Sequence, residues 1–381
     1  MFTRLYLHIP FCPRKCPYCA FVSRESDHAP DSYVDLLLEE MRLVSAGLAP
    51  GRPLESIYFG GGTPSLLEPR QVALLIDRAA RTFGLAANAE ITLEVNPGTV
   101  DHERLAGFRA ASVNRLSLGV QSFDERMLAT LGRVHSARQA QDAFTAARTA
   151  GFADVGIDLI HALPGQTAEM WRADLGQALR LAPEHISVYG LSVEEGTPFA
   201  ARYGGDDPLL PDDDLAAGMF EAADDLLTAH GYEHYEIANY ALPGRRSRHN
   251  SGYWRRDGYL GLGAAAHSLL RDKGFGTRFG NTADIDGYAT SIRAGSLPRC
   301  DEMILTLSDA MAEFMFLGLR LAEGVEFAAF EREFGCGMEE TFGEAISELV
   351  SLGLLQRNDT GVRLTRRGML LSNRVFVRFI A

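Results

Sequence analysis

The sequence predicts an α/β protein in which parallel strands alternate with outer helices, followed by a smaller C-terminal helical unit with a β-wing. Three observations carry this. Short apolar runs recur at 5–10, 56–62, 90–97, 115–122, 155–164 and 185–194, each followed by a helical pattern. The segments between them, such as "DSYVDLLLEEMRLVSAG" and "SARQAQDAFTAARTAG", show apolar spacing of i, i+3, i+4 with Asp or Ser at the start and Gly at the end. Beyond about residue 285 the alternation gives way to helices around 302–322 and 338–353, then "LLQRNDTGVRLT" with a hairpin turn at Asn358–Gly361, then an Arg-rich helix.

Six β/α units imply a parallel sheet with helices outside it, as an open doubly wound sheet or an incomplete (β/α) barrel. In either form the chemistry gathers at the C-terminal ends of the strands. Taken in order, the strands meet this test. "LYLHIP" runs into a cysteine cluster, "SIYFGGG" into "TPS", and "EITLEVNP" carries Glu94 into "NPG". "RLSLGVQS" ends at Gln121, "VGIDLIHALP" carries Asp158, and "HISVYGLSVE" leads to "EEGTP". Polar ends that point one way describe the mouth of a single site. The expected division is a barrel over 1–285 and a C-terminal domain over 286–381, with the softest linkers at 202–214 and 241–248.

Composition excludes several classes. With 381 residues, 46% of them hydrophobic, the chain has enough apolar content for a large core. No apolar run approaches the roughly 20 residues that cross a bilayer, and the N-terminus runs into the cysteines without a signal-peptide core, so a cytoplasmic protein is expected. Peripheral membrane contact stays open. A formal charge of -13 argues against nucleic acid as a partner. The local exception is the last stretch, where Arg357, Arg363, Arg366, Arg367, Arg374 and Arg378 face Asp359 alone; it is read as a solvated surface, and the winged unit as a stabilising cap.

Three of the five cysteines stand in "CPRKCPYC", as Cys12, Cys16 and Cys19, while Cys300 and Cys336 lie far away. An odd, clustered set suits metal or redox work rather than a disulfide framework. Three readings stay open on spacing, the blandest being three unrelated buried thiols. A zinc ion would take His8 as fourth ligand. A 4Fe-4S cube held by three thiolates leaves one iron open to a ligand.

The C-x3-C-x2-C spacing with Tyr18 before the last cysteine, and "GGGTP" after the next strand, resembles the radical S-adenosylmethionine (SAM) superfamily. That resemblance implies a partial (β/α)6 TIM-like barrel, a 4Fe-4S cluster on Cys12, Cys16 and Cys19, and SAM chelated to the open iron, where reduction yields a 5'-deoxyadenosyl radical. It also implies SAM contacts from Tyr6, Tyr18, Gly61, Gly62, Thr63, Glu94, Gln121, Arg133 and Asp158. The residue types suit a zwitterionic sulfonium nucleoside. Gly60 to Gly62 let backbone approach the methionine end, and Thr63 adds a hydroxyl. Glu94 faces the ammonium and Arg133 forks to the carboxylate. Gln121 and Asp158 suit the ribose, and the Tyr18 loop the adenine.

Within the superfamily, "LYLHIPFCPRKCPYC", "SIYFGGGTPSLL", "VNRLSLGVQSF", "IDLIHALPGQT" and "GYEHYEIANYA" look closest to the haem chaperone (HemW) family, itself similar to oxygen-independent coproporphyrinogen III oxidase. "HNSGYW" matches the H-N-x-x-Y-W pattern that this branch associates with haem, which implies haem contact by His249, Asn250, Tyr253 and Trp254, with His249 as an axial ligand. Arg245, Arg246 and Arg248 are placed to meet propionates. The implied function is to carry haem as cargo to an acceptor protein, with an electron donor if SAM is cleaved. The rivals are porphyrinogen oxidation and radical SAM methyl transfer.

Some positions depart from the pattern. The oxidase branch has a further cysteine two positions after the third, where this chain has Phe21, and a longer segment before its first cysteine than the eleven residues here. Both weigh toward a carrier rather than an oxidase. Ala20 replaces the usual Asp, and His161-Ala162 the usual Tyr-Gly.

Overall fold

The computed structural model describes residues 1–47, 51–204, 207–271 and 273–380, so Gly205 and Asp206 of the expected 202–214 linker lie outside the described residues. The expected strands form and lie side by side in chain order: β1 Arg4–Ile9, β2 Leu54–Gly61, β3 Leu85–Val95, β4 Arg115–Gln121, β5 Val155–His161 and β6 His185–Gly190. All neighbours in this set are parallel. Side chains such as Leu5, Ile57, Leu93, Leu116, Ile157 and Ile186 are fully buried against the outer helices, as expected of strands covered on both faces. Those helices start where their caps dictate. Glu68 with Gln71, and Ser136 with Gln139, form reciprocal capping boxes for Pro69–Phe83 and Ala137–Thr149.

The sheet is larger than the periodicity indicates. A seventh parallel strand, Tyr259–Leu262, pairs with β1 and continues through antiparallel strands His267–Leu270, Thr277–Asn281 and Arg299–Ile304. Beyond β6, Asn239–Ala241 and Glu233–Glu236 complete twelve strands. Inward side chains from β2 to β6 share one cavity, so the sheet is curled into a partial barrel rather than laid flat.

Two boundaries move. Residues 302–304, expected at the head of a helix, belong instead to the edge strand Arg299–Ile304 of the large sheet, and the helix begins at Leu307 behind a Thr306–Asp309 capping box. The edge strand leaves Asp301, Glu302, Met303 and Ile304 exposed, the last two at 47% and 60%. Tyr288 and Ile292, on the helix Ile285–Arg293, are buried in the large core. The apolar contacts therefore divide near residue 305 rather than at 285/286.

The C-terminal unit has its own core of Met315, Leu319, Phe330, Ile346, Leu349 and Phe379. Its wing is the expected hairpin, Leu355–Arg357 with Gly361–Leu364, joined by Val325–Glu326. The Asn358 side chain accepts the Thr360 and Gly361 amides across the turn. The final Arg-rich segment is two short helices, Arg366–Leu370 and Ser372–Phe376. A buried ionic junction ties the unit to the barrel: Arg256, 1% exposed, reaches Glu313 at 3.0 Å and Glu333 at 2.7 Å, and Arg278 also meets Glu313. Among the described residues no helix is long and apolar enough to cross a membrane.

Candidate functional site

A cavity of about 410 Å³ occupies the barrel and opens where the strands end. Cys12, Cys16 and Cys19 form one wall. Cys12 closes a short strand pairing of Phe11–Cys12 with Arg24–Glu25, and the Cys19 amide donates to the Cys16 carbonyl at 3.1 Å, so the loop is held at both ends. Thr63 Oγ1 donates to Cys12 Sγ at 3.5 Å and Arg133 Nη1 to Cys16 Sγ at 3.6 Å. Burial pushes the Cys12 and Cys19 thiols up, which thiolate bonding to a cationic centre would reverse. Among the described residues, no three His, Cys, Asp or Glu side chains gather closely enough to hold a single metal ion. His8 is no fourth ligand either: its Nε2 contacts the Val22 carbonyl at 3.1 Å and its Nδ1 the Tyr6 hydroxyl at 3.2 Å.

In the same cavity, Glu94 is clamped by the Tyr58 hydroxyl, which donates to Oε1 at 2.8 Å, and by the Gly61 amide, which donates to Oε2 at 3.2 Å. Burial, reinforced by Asp158, pushes the Glu94 carboxyl up to about 7, so an incoming ammonium would complete its charge balance. Asp158 accepts from Ser117 and Ser187, and burial still holds it above the ordinary Asp range. Gly61 (φ 114°) and Gly62 are required by space. A Cβ on Gly61 would lie 2.6 Å from the His8 ring, and one on Gly62 2.7 Å from the Phe11 carbonyl and 3.0 Å from Cys12 Sγ. Gln121 ends β4 in the left-handed region at φ 69°, the kind of backbone strain that collects at binding sites.

All of the expected SAM contacts except Tyr6 line this cavity. Tyr6 sits behind it, with its ring stacked on Tyr58 at 6.0 Å. The residues fit a sulfur-bound cluster and a sulfonium nucleoside. Three thiols share one wall beside an open glycine cradle, and two buried polar atoms, Gln121 Oε1 and Arg133 Nε, have no hydrogen-bond partner among the described residues. Sequence reading passed over Tyr58, Arg115, His185 and Ser187, which line the lower part of the same cavity. The signal was the two-residue alternation: Arg115, Ser117, Gly119 and Gln121 lie on one face of β4, and His185, Ser187 and Tyr189 on one face of β6.

The H-N-x-x-Y-W segment is the helix Arg248–Trp254, and it lies at the other end of the barrel. The Glu90 carboxylate of β3 accepts the Arg248 and His249 amides, each at 2.9 Å, and Arg4 at the start of β1 reaches the Arg248 carbonyl. His249 is fully buried. Its Nδ1 contacts Ser56 Oγ at 2.8 Å and its Nε2 the Tyr253 hydroxyl at 2.7 Å. Burial, with Arg4 and Arg115 nearby, holds the imidazole far below its usual range. Both ring nitrogens are thus engaged by hydroxyls within the fold, and the ring lies below the cavity surface rather than on it. Asn250 lines the cavity, and Trp254 lies under the Arg320 guanidinium at 4.2 Å, against the C-terminal unit. Arg245, Arg246 and Arg248 already pair with Asp154, with Glu233 and Glu323, and with Glu90.

Comparison with known proteins agrees with this geometry. Residues 6–178 match the Radical SAM superfamily and residues 305–371 the HemN C-terminal domain. Heme chaperone HemW of Lactococcus lactis is 38% identical, covering 98% of this chain and 96% of the relative. Heme chaperone HemW of Escherichia coli is 37% identical, covering 99% and 98%. Among solved structures, coproporphyrinogen III oxidase (HemN) from Escherichia coli superposes with a TM-score of 0.84 at 26% identity, covering 99% of this chain and 90% of that one. The chain therefore belongs to the HemW family of the Radical SAM superfamily.

Proposed function

We propose that the protein is a haem chaperone that binds haem and passes it to an acceptor protein, with a 4Fe-4S cluster on Cys12, Cys16 and Cys19 and SAM beside it. One observation carries the reading. The chain matches proteins named Heme chaperone HemW at 36–38% identity over nearly their whole length, against 26% for the oxidase structure. Phe21 supports it: the position where the oxidase branch carries a further cysteine is here an exposed phenylalanine at the mouth.

The chain's own groups account for the cofactor side. Arg133 holds a positive charge beside Cys16 and spans to the Gly119 carbonyl at 2.8 Å, ready to meet a carboxylate. Glu94 sits across the cradle for the ammonium, and Tyr18 packs edge-on against Phe199 to give the adenine an apolar wall. Bound SAM would supply a cleavable sulfonium, and a reduced cluster the electron, with the donor protein of unassigned identity. Haem contact falls to the half-buried Tyr253 and Trp254 and to Asn250 rather than to His249 as ligand.

Anaerobically reconstituted protein, titrated with haem and then mixed with an apo-haemoprotein, tests the proposal. A stoichiometric haem complex that empties into the acceptor is expected. Conversion of coproporphyrinogen III to protoporphyrinogen at turnover rates, without haem uptake, would overturn it.

A further inference from the structure

We propose that the helix Arg248–Trp254 is the foot of the SAM cavity and that His249 is a positioning residue for SAM, acting through Tyr58 on Glu94. The inference rests on the SAM reading above and adds residues that the cysteine loop and the glycine cradle do not contain.

The contacts form one continuous chain. The His249 imidazole packs on the Tyr58 ring with centroids 5.0 Å apart, and Tyr6 flanks the same ring. Tyr58 is rooted in β2, and its hydroxyl reaches Glu94 Oε1 at 2.8 Å. The second Glu94 oxygen takes the Gly61 amide of the cradle. At its other end the imidazole is fixed by hydroxyls on both nitrogens, Ser56 in β2 and Tyr253 one turn along its own helix. A ring held at two points against a third residue has one orientation, and that orientation sets where the Tyr58 hydroxyl lies. Next in sequence, Asn250 faces the cavity with the cysteines, so the helix both braces one wall and forms part of the floor.

The physical consequence concerns the carboxylate. Glu94 lies in a buried site and, among the described residues, accepts one hydrogen bond on each oxygen, so losing the Tyr58 contact would leave one oxygen to wander or to keep its proton. An ammonium would then meet a poorly aimed, partly neutral partner.

The test is calorimetric titration of SAM into the anaerobically reconstituted protein, with melting temperature recorded for each variant. Tyr58→Phe keeps the ring and removes the hydroxyl, and His249→Ala removes the brace; each is expected to weaken SAM binding about tenfold. Because both act on the same carboxylate, the double variant should bind no worse than the weaker single one, whereas a general loss of stability would make the effects add. Arg255→Gln, at the exposed residue that follows the same helix, should leave the affinity unchanged. Affinity within twofold of the unmodified protein for His249→Ala, or additive losses in the double variant, would overturn the inference. If His249→Ala does not fold, Ser56→Ala takes its place, and unchanged SAM affinity there is equally fatal. Failure of the unmodified, cluster-loaded protein to bind SAM would instead defeat the cofactor reading itself.

Discussion

Ala162 sits at φ 59°, just past the end of β5, where the related pattern has glycine. A Cβ in the left-handed region costs roughly 1–2 kcal/mol, part of which a glycine returns as unfolded-chain entropy. Ala162→Gly should therefore raise stability by about 0.5–1 kcal/mol in urea denaturation, with an unchanged denaturant slope. At this scale the sequence showed the mouth of the site well, because cysteines, glycines and charged residues at strand ends have few structural reasons to be there. It showed the lower cavity poorly. Arg115 and His185 begin their strands, and a polar residue at a strand's start usually faces solvent; only barrel closure turns these inward.

Single elements are held by polar pins as well as by apolar faces. The helix Asp31–Ser45 carries Glu40 fully into the core, where it accepts from the Gly263 amide at 2.8 Å, the Tyr288 hydroxyl at 2.6 Å and Asn281 at 2.6 Å. It thereby ties that helix to the helix Ile285–Arg293 and to the strand Thr277–Asn281. Burial outweighs these donors and pushes its carboxyl up to about 7. In the unfolded chain the same group titrates near 4.3. The folded state thus keeps a proton that the unfolded state has released, and the Glu40 contribution is complete below about pH 4 and lost as pH rises toward 7. The loss is on the order of 3 kcal/mol, so Glu40→Gln should lessen the fall in stability between pH 4.5 and 7 in denaturant titrations by about that amount. Such pins were invisible in the sequence, where Glu40 reads as one more polar residue of an amphipathic helix. The antiparallel strands Asn239–Ala241 and His267–Leu270 were invisible for another reason: they are too short to show a period, and long-range pairing defines them. The H-N-x-x-Y-W segment was legible as a motif, but its place at the foot of the barrel was not.

For the whole molecule, the sequence supplied the order of parts and the structure supplied the joint. Arg256 is the centre of that joint, buried between Glu313 and Glu333. Removing Glu313 takes away the carboxylate shared by Arg256 and Arg278 and leaves Arg256 with Glu333, so Glu313→Ala should cost about 1–3 kcal/mol and separate the melting of the two cores in calorimetry, a split absent from the unmodified protein. Barrel and C-terminal unit were both expected, because repeated β/α units and a capped helical tail are local patterns; that the helix Ile285–Arg293 packs into the large core was not legible, because only long-range contacts assign it there. That strand, Arg299–Ile304, has a further consequence. It ends the sheet with unpaired backbone and two bare apolar side chains, the setting in which proteins stick to their own copies. Laid head to tail against its twin in matching register, however, it would bring Asp301 onto Glu302 twice, acid against acid. The rim is thus self-repelling, and a crowded cell full of this chain meets a border that refuses to be doubled.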